Sequence, residues 1–151
     1  MFNKDYEEML RIFAEKKVRF LVVGAYAMSA HGYPRATGDF DLWVDASPVN
    51  SRRVYTSLSV FGASLSEVTP DTFRKKGVVF QIGVAPRRID ILTHIDGVDF
   101  RDAYRAREKI EVEGMTIPFL SRKDLLQNKE ATGRDKDRLD ARILRKIRKP
   151  K

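Results

Sequence analysis

Acidic and apolar residues alternate in the run Asp39-Phe40-Asp41-Leu42-Trp43-Val44, and this pattern constrains the chain more than any other. Extended backbone sends residues two apart to the same side. Both carboxylates therefore project together, while Phe40, Leu42 and Val44 face the opposite way into a core. Trp43 falls on the carboxylate side, where core packing is the ordinary use of an indole and shielding of a site or stacking on a base the functional one. Arg88-Ile89-Asp90-Ile91-Leu92 repeats the pattern with its acid flanked by apolar residues. If the two strands are neighbours, three carboxylates converge, and such a cluster repels itself unless a cation enters it. Arg35, Arg87 and Arg88 are candidate salt-bridge partners that would make the cluster structural. The functional alternative is a hard divalent ion, Mg²⁺ or Mn²⁺, which prefers carboxylate, phosphate and water oxygens.

The remaining composition narrows the choice of chemistry. The 151 residues contain no cysteine and two isolated histidines, His31 and His94, which leaves carboxylates as the metal ligands to expect. A chain of this length with 42% hydrophobic residues suits one domain, residues 1–151, around a single core. No run of 18 apolar residues occurs, and acids interrupt the N-terminal segment, so a cytoplasmic protein without membrane association is expected. Most of the formal charge of +8 comes from residues 134–151, where nine Lys or Arg stand against three Asp. A basic end of that kind, with a tail at 147–151, suits a polyanion such as nucleotide phosphate or RNA; a solvated helix face is the plainer use of it.

Local signals place these residues on elements. Asn3 caps a helix over about residues 4–16, with Tyr6, Met9, Leu10, Phe13 and Ala14 on one stripe. Val18–Gly24 reads as a buried strand that runs through glycine into a small-residue helix ending at Gly32. Ser47-Pro48 starts a helix through Val54, Leu58 and Phe61, and residues 62–76 give no clear signal. Residues 78–84 and 88–93 form one expected hairpin, and 110–117 a second, turning near Glu113-Gly114. Ser121 caps a helix bearing Leu125 and Leu126, and Leu139, Ile143, Leu144 and Ile147 mark the apolar face of a last one.

Taken together, Val22–Ala27, the segment Gly32–Val44 and Arg88–Leu92 resemble the DNA polymerase β-like nucleotidyltransferases. More narrowly, they are similar to the small prokaryotic branch associated with abortive-infection and toxin-antitoxin proteins. The segment Asp124–Asp140, with a lysine followed by Arg-x-Lys-Asp-x-x-Asp, is similar to that branch's closing helices. The resemblance implies an α/β fold: a polymerase β-like core with a short mixed sheet, helices mainly on one face and a C-terminal helical pair. It places metal binding and catalysis on Asp39, Asp41 and Asp90, and triphosphate contact on Gly24. Ala25 departs from the family's usual second Gly or Ser at the next position.

Among the other residues of the segment, Arg35 and Thr37 are candidates near the nucleotide, Thr37 more as a brace of the acidic strand. Lys129 could reach a triphosphate from a packed helix or stand in solvent. Lys136, Asp137 and Asp140 suit ion pairs better than catalysis. The expected reaction is Mg²⁺- or Mn²⁺-dependent transfer of a nucleoside monophosphate from a nucleoside triphosphate such as ATP to a hydroxyl acceptor, with release of pyrophosphate. The acceptor site would lie in a partner protein, a second copy of the chain or a short groove, with RNA among the candidate acceptors. The alternatives are a non-catalytic nucleotide- or RNA-binding module and an interaction subunit of a toxin-antitoxin pair.

Overall fold

The computed structural model describes residues 2–33 and 39–147. Its centre is a six-stranded mixed sheet in the order β3-β4-β2-β1-β6-β5. The strands are β1 (Phe20–Val23), β2 (Asp39–Val44), β3 (Val79–Ile82), β4 (Arg88–Leu92), β5 (Glu108–Val112) and β6 (Met115–Phe119). β2 runs antiparallel to β1 and parallel to β4, and the hairpins β3–β4 and β5–β6 form the two edges. Among the described residues no helix is long and apolar enough to cross a membrane.

The cores of the elements follow their apolar periodicity. In α1 (Lys4–Glu15) the side chain of Asn3 accepts from the Tyr6 N–H at 2.9 Å, and Tyr6, Met9, Leu10 and Phe13 are buried as the three-and-four spacing requires. Tyr6 stacks on Phe40 of β2 with centroids 4.5 Å apart, and Tyr26 of α2 (Gly24–Ala30) meets the same ring edge-on at 5.1 Å. These two helices thus cover the apolar side of β2. Ser47 caps α3 (Pro48–Phe61), which ends at Gly62 with φ of 93°, a left-handed turn that glycine adopts without a Cβ clash.

The opposite side of β2 is closed at one end by α4 (Phe100–Arg105), an element the sequence did not announce. Trp43 is 2% exposed and packs edge-on against Phe100 at 5.0 Å, so the indole belongs to the core and is out of reach of a base. Two further helices, α5 (Arg122–Ala131) and α6 (Asp135–Lys146), form the C-terminal pair. α6 corrects the expected apolar stripe: Leu139 is 55% exposed, while Asp137, Asp140, Ala141 and Leu144 turn inward. Two acids replace an expected apolar contact because a cation from α5 meets them there.

Candidate active site

The register of β2 against β4 brings the acidic residues together. Asp41 lies opposite Asp90 and Asp39 opposite Arg88 on adjacent parallel strands. Arg88 bridges the group: its Nη2 donates to Asp39 at 2.7 Å and to Asp90 at 3.2 Å, and its Nε donates to Asp90 at 3.0 Å. The salt-bridge partner weighed from the sequence is therefore present in Arg88. Tyr6 steadies this end of β4, its hydroxyl lying 3.1 Å from the carbonyls of Pro86 and Arg88.

Among the described residues one guanidinium faces three carboxylates, and the strain of the cluster shows at Asp41. Burial, then the charges of Asp90 and Asp39, push its pKa from 3.8 up to about 7, against the opposing pull of Arg88. Among the described residues no three acids or histidines stand in a ready-made metal cluster, and Arg88 lies drawn in between Asp39 and Asp90. The donor set still fits a hard divalent ion: oxygen ligands only, an excess of negative charge, and a guanidinium already holding the place of a cation. Replacing Arg88 with Met is expected to lower the melting temperature in chelator and to tighten Mn²⁺ binding by about tenfold, the scale of one nearby charge. Calorimetric titration with Mn²⁺ checks this, and weaker binding by the variant would show that Arg88 supports the ion instead of competing with it.

Gly24 is required here for two reasons. Its φ of 67° is left-handed, and a Cβ at this position would run into the carboxylate of Asp41. The turn expected to approach a phosphate thus also makes room for the central acid. Gly24 and Ala25 line a cavity of about 510 Å³ together with Asp39 and Asp41. Its far wall is formed by the residue 94–96 loop and the α5–α6 pair, including His94, Asn128, Lys129, Thr132, Arg134 and Lys136. Asn128 donates to the Asp96 carbonyl at 2.9 Å, which ties α5 to the loop leaving β4.

Lys129 reaches this cavity, but it is not a solvated lysine. Its ammonium lies 3.2 Å from Asp137 and 3.3 Å from Asp140, and all three side chains are largely covered. Burial alone would raise the pKa of Asp137; the Thr132 hydroxyl, the charge and hydrogen bond of Lys129 and the Arg134 guanidinium together hold it below its ordinary value. Asn128, Thr132 and Arg134 were not singled out from the sequence, although all three belong to the segment that carries Lys129. His94 lines the cavity with Nε2 3.3 Å from Asp96, whereas His31 serves the fold through a 2.8 Å contact to the Leu120 carbonyl. Arg35 and Thr37 lie outside the described residues.

No protein-family model and no curated protein matches the sequence. Solved structures do match. A Thermotoga maritima protein provisionally assigned as a nucleotidyltransferase aligns over 98% of this chain and 97% of its own, with a TM-score of 0.60 and 20% identity. The chain has the polymerase β-like nucleotidyltransferase fold. The lincomycin-bound lincosamide antibiotic adenylyltransferase LnuA shares it, over 98% of this chain and 99% of its own, with a TM-score of 0.58 and 16% identity. The six-stranded mixed sheet and the C-terminal helical pair agree with the architecture expected of a nucleotidyltransferase core.

Proposed function

We propose that this chain is a Mg²⁺- or Mn²⁺-dependent nucleotidyltransferase that moves a nucleoside monophosphate from a nucleoside triphosphate to a hydroxyl acceptor. The observation that carries the proposal is one cavity that places Asp39, Asp41 and the Gly24 turn opposite Lys129, Arg134 and Lys136, with Asp96 and Asp137 beside those bases. A triphosphate with its metal ion can span the two walls, cation toward Asp39 and Asp41 and phosphates toward Lys129, Arg134 and Lys136.

Asp39 and Asp41 would hold the ion, with Asp90 completing the site. The ion, when bound, neutralises charge on the triphosphate and makes the α-phosphorus a better electrophile. Asp90 takes the proton of the acceptor hydroxyl; the hydroxyl oxygen forms a bond to the α-phosphorus as the bond to the bridging oxygen breaks, and pyrophosphate leaves. Lys129 faces the phosphates in a fixed position because Asp137 and Asp140 hold it, so little side-chain freedom is lost on binding. Gly24 contributes backbone at the one place where a side chain would displace Asp41. The lincomycin complex of one structural neighbour makes a small hydroxyl compound worth testing as acceptor beside RNA.

Thermal melts test the pocket without knowledge of the acceptor. ATP at a hundred times its dissociation constant is expected to raise the melting temperature by roughly 5 to 10 °C with Mg²⁺ present and hardly at all in chelator. Equal stabilisation in both conditions would mean that the nucleotide is held without a metal.

A further inference from the structure

By sequence count the positive charge sits in the last helix and tail, but folding assembles a second basic region from three separate segments. The link after α1 supplies Lys16 and Arg19, the first half of α3 supplies Arg52 and Arg53, and α4 supplies Arg101 and Arg105. The Arg19 guanidinium reaches the Tyr104 ring of α4 at 6.0 Å, and buried Asn50 joins the other two segments. Its side chain accepts from the Arg19 N–H at 2.7 Å and donates to the carbonyls of Arg19 at 3.1 Å and Asp45 at 2.8 Å. Arg53 adds a bond to the Lys17 carbonyl at 3.1 Å.

Two grooves flank this clamp. One, of about 270 Å³, is lined by Lys16, Arg52 and Arg53; the other, of about 460 Å³, lies between Arg19 and the pair Arg101 and Arg105. Asp45 is the one carboxylate among the residues lining either groove. Among the described residues, none of the side-chain ion pairs involves Lys16, Arg19, Arg52, Arg53, Arg101 or Arg105. Clustered like charges do not stabilise a fold, and this cluster is open to attraction by an external polyanion.

We propose that this face binds the phosphodiester backbone of a nucleic-acid strand, as a docking track separate from the nucleotide cavity. Two separate basic grooves suit a chain of regularly spaced phosphates better than one isolated anion. The walls favour a polynucleotide over an acidic peptide. Phe100 and Tyr104 line the second groove beside Arg101 and Arg105 with their rings stacked at 5.5 Å, and Arg107 lies over Tyr104 at 4.1 Å, so the wall adds aromatic edges and planar guanidinium forks to the charge. Arg19 precedes β1 and Gly24 follows it, so the track and the cavity lie about 17 Å apart along the strand. A strand held on the track therefore does not occupy the triphosphate site.

The test measures anisotropy of labelled 12-nucleotide RNA and DNA strands of the same sequence, in chelator so that turnover plays no part. The double variants Lys16→Glu/Arg52→Glu and Arg101→Glu/Arg105→Glu are each expected to weaken binding at least tenfold and to lower the slope of log affinity against log salt by about one to two. Their melting temperatures and their Mg²⁺-dependent response to ATP are expected to match wild type. The RNA and DNA arms show whether the sugar is discriminated. Unchanged affinity in both double variants would overturn the proposal, as would loss of binding only on removal of residues 148–151. Competition by polyglutamate as strong as that by RNA would also overturn it and identify an acidic protein surface as the occupant. Because the measurement needs no catalysis, its failure leaves the transfer reaction standing, and the converse also holds.

Discussion

Asp41→Asn is expected to lower nucleotidyl transfer by about a thousandfold, on the order of 4 kcal/mol of transition-state stabilisation, while making the metal-free protein more stable above neutral pH. Both effects come from one carboxylate. Asp41 lies between Asp39 and Asp90, and its pKa is raised to about 7. An acid with a raised folded-state pKa holds its proton more tightly in the native state. Its contribution to stability is therefore complete below about pH 4 and is lost as pH rises through about 7. The metal-free wild type should weaken across that window by no more than about 4 kcal/mol, and by less to the extent that solvent reaches the half-buried group. The Asn variant should be flat over the same range. Urea melts in chelator at pH 5 and pH 8, run beside transfer assays with Mg²⁺, read both effects. Unchanged turnover in the variant would remove Asp41 from the site.

Lys129→Met is expected to cause the largest loss of stability of any single change proposed, about 3 to 5 kcal/mol. Lys129 shares its ammonium between Asp137 and Asp140, and these carboxylates are 3% and 2% exposed as residues. Removing the ammonium takes away the cation that the two buried acids share, although Thr132 and Arg134 still reach Asp137. Adding Asp140→Asn to the variant should restore part of the loss, since it removes one of the two buried charges that the ammonium offsets. Denaturant midpoints of the single and double variants measure this. A loss under about 1 kcal/mol for Lys129→Met would mean that water supports the two acids.

The strands and the acidic pattern were legible because their signals are local. Alternation in Asp39–Val44 gives the face of each residue, and the Glu113-Gly114 hairpin turn shows itself structurally in φ values of 52° and 80° at its two residues. The Ser47 and Ser121 caps were likewise readable from their own segments, and both accept from the N–H three residues on. What was not legible depends on residues distant in the chain. Burial of Asp137 and Asp140 depends on Lys129 on another helix, so the alternating charges of α6 resembled a solvated face and Leu139 a core position. Arg88 was one of three candidate partners until the β2–β4 register placed it opposite Asp39. With six residues, α4 is too short to show a helical period, and the basic face it completes cannot be seen by counting charges along the chain.

The proposed reaction moves the nucleoside monophosphate of a triphosphate, with its α-phosphorus, to a hydroxyl acceptor. Incubating the protein with ATP labelled separately at the α- and γ-phosphates, with Mg²⁺ and a panel of RNA, protein and small hydroxyl acceptors, tests it most directly. The account predicts α-label carried into an acceptor, γ-label released as pyrophosphate, and loss of both in chelator and in Asp41→Asn. Transfer of γ-label to the acceptor, or α-label transfer that survives Asp41→Asn, would contradict it.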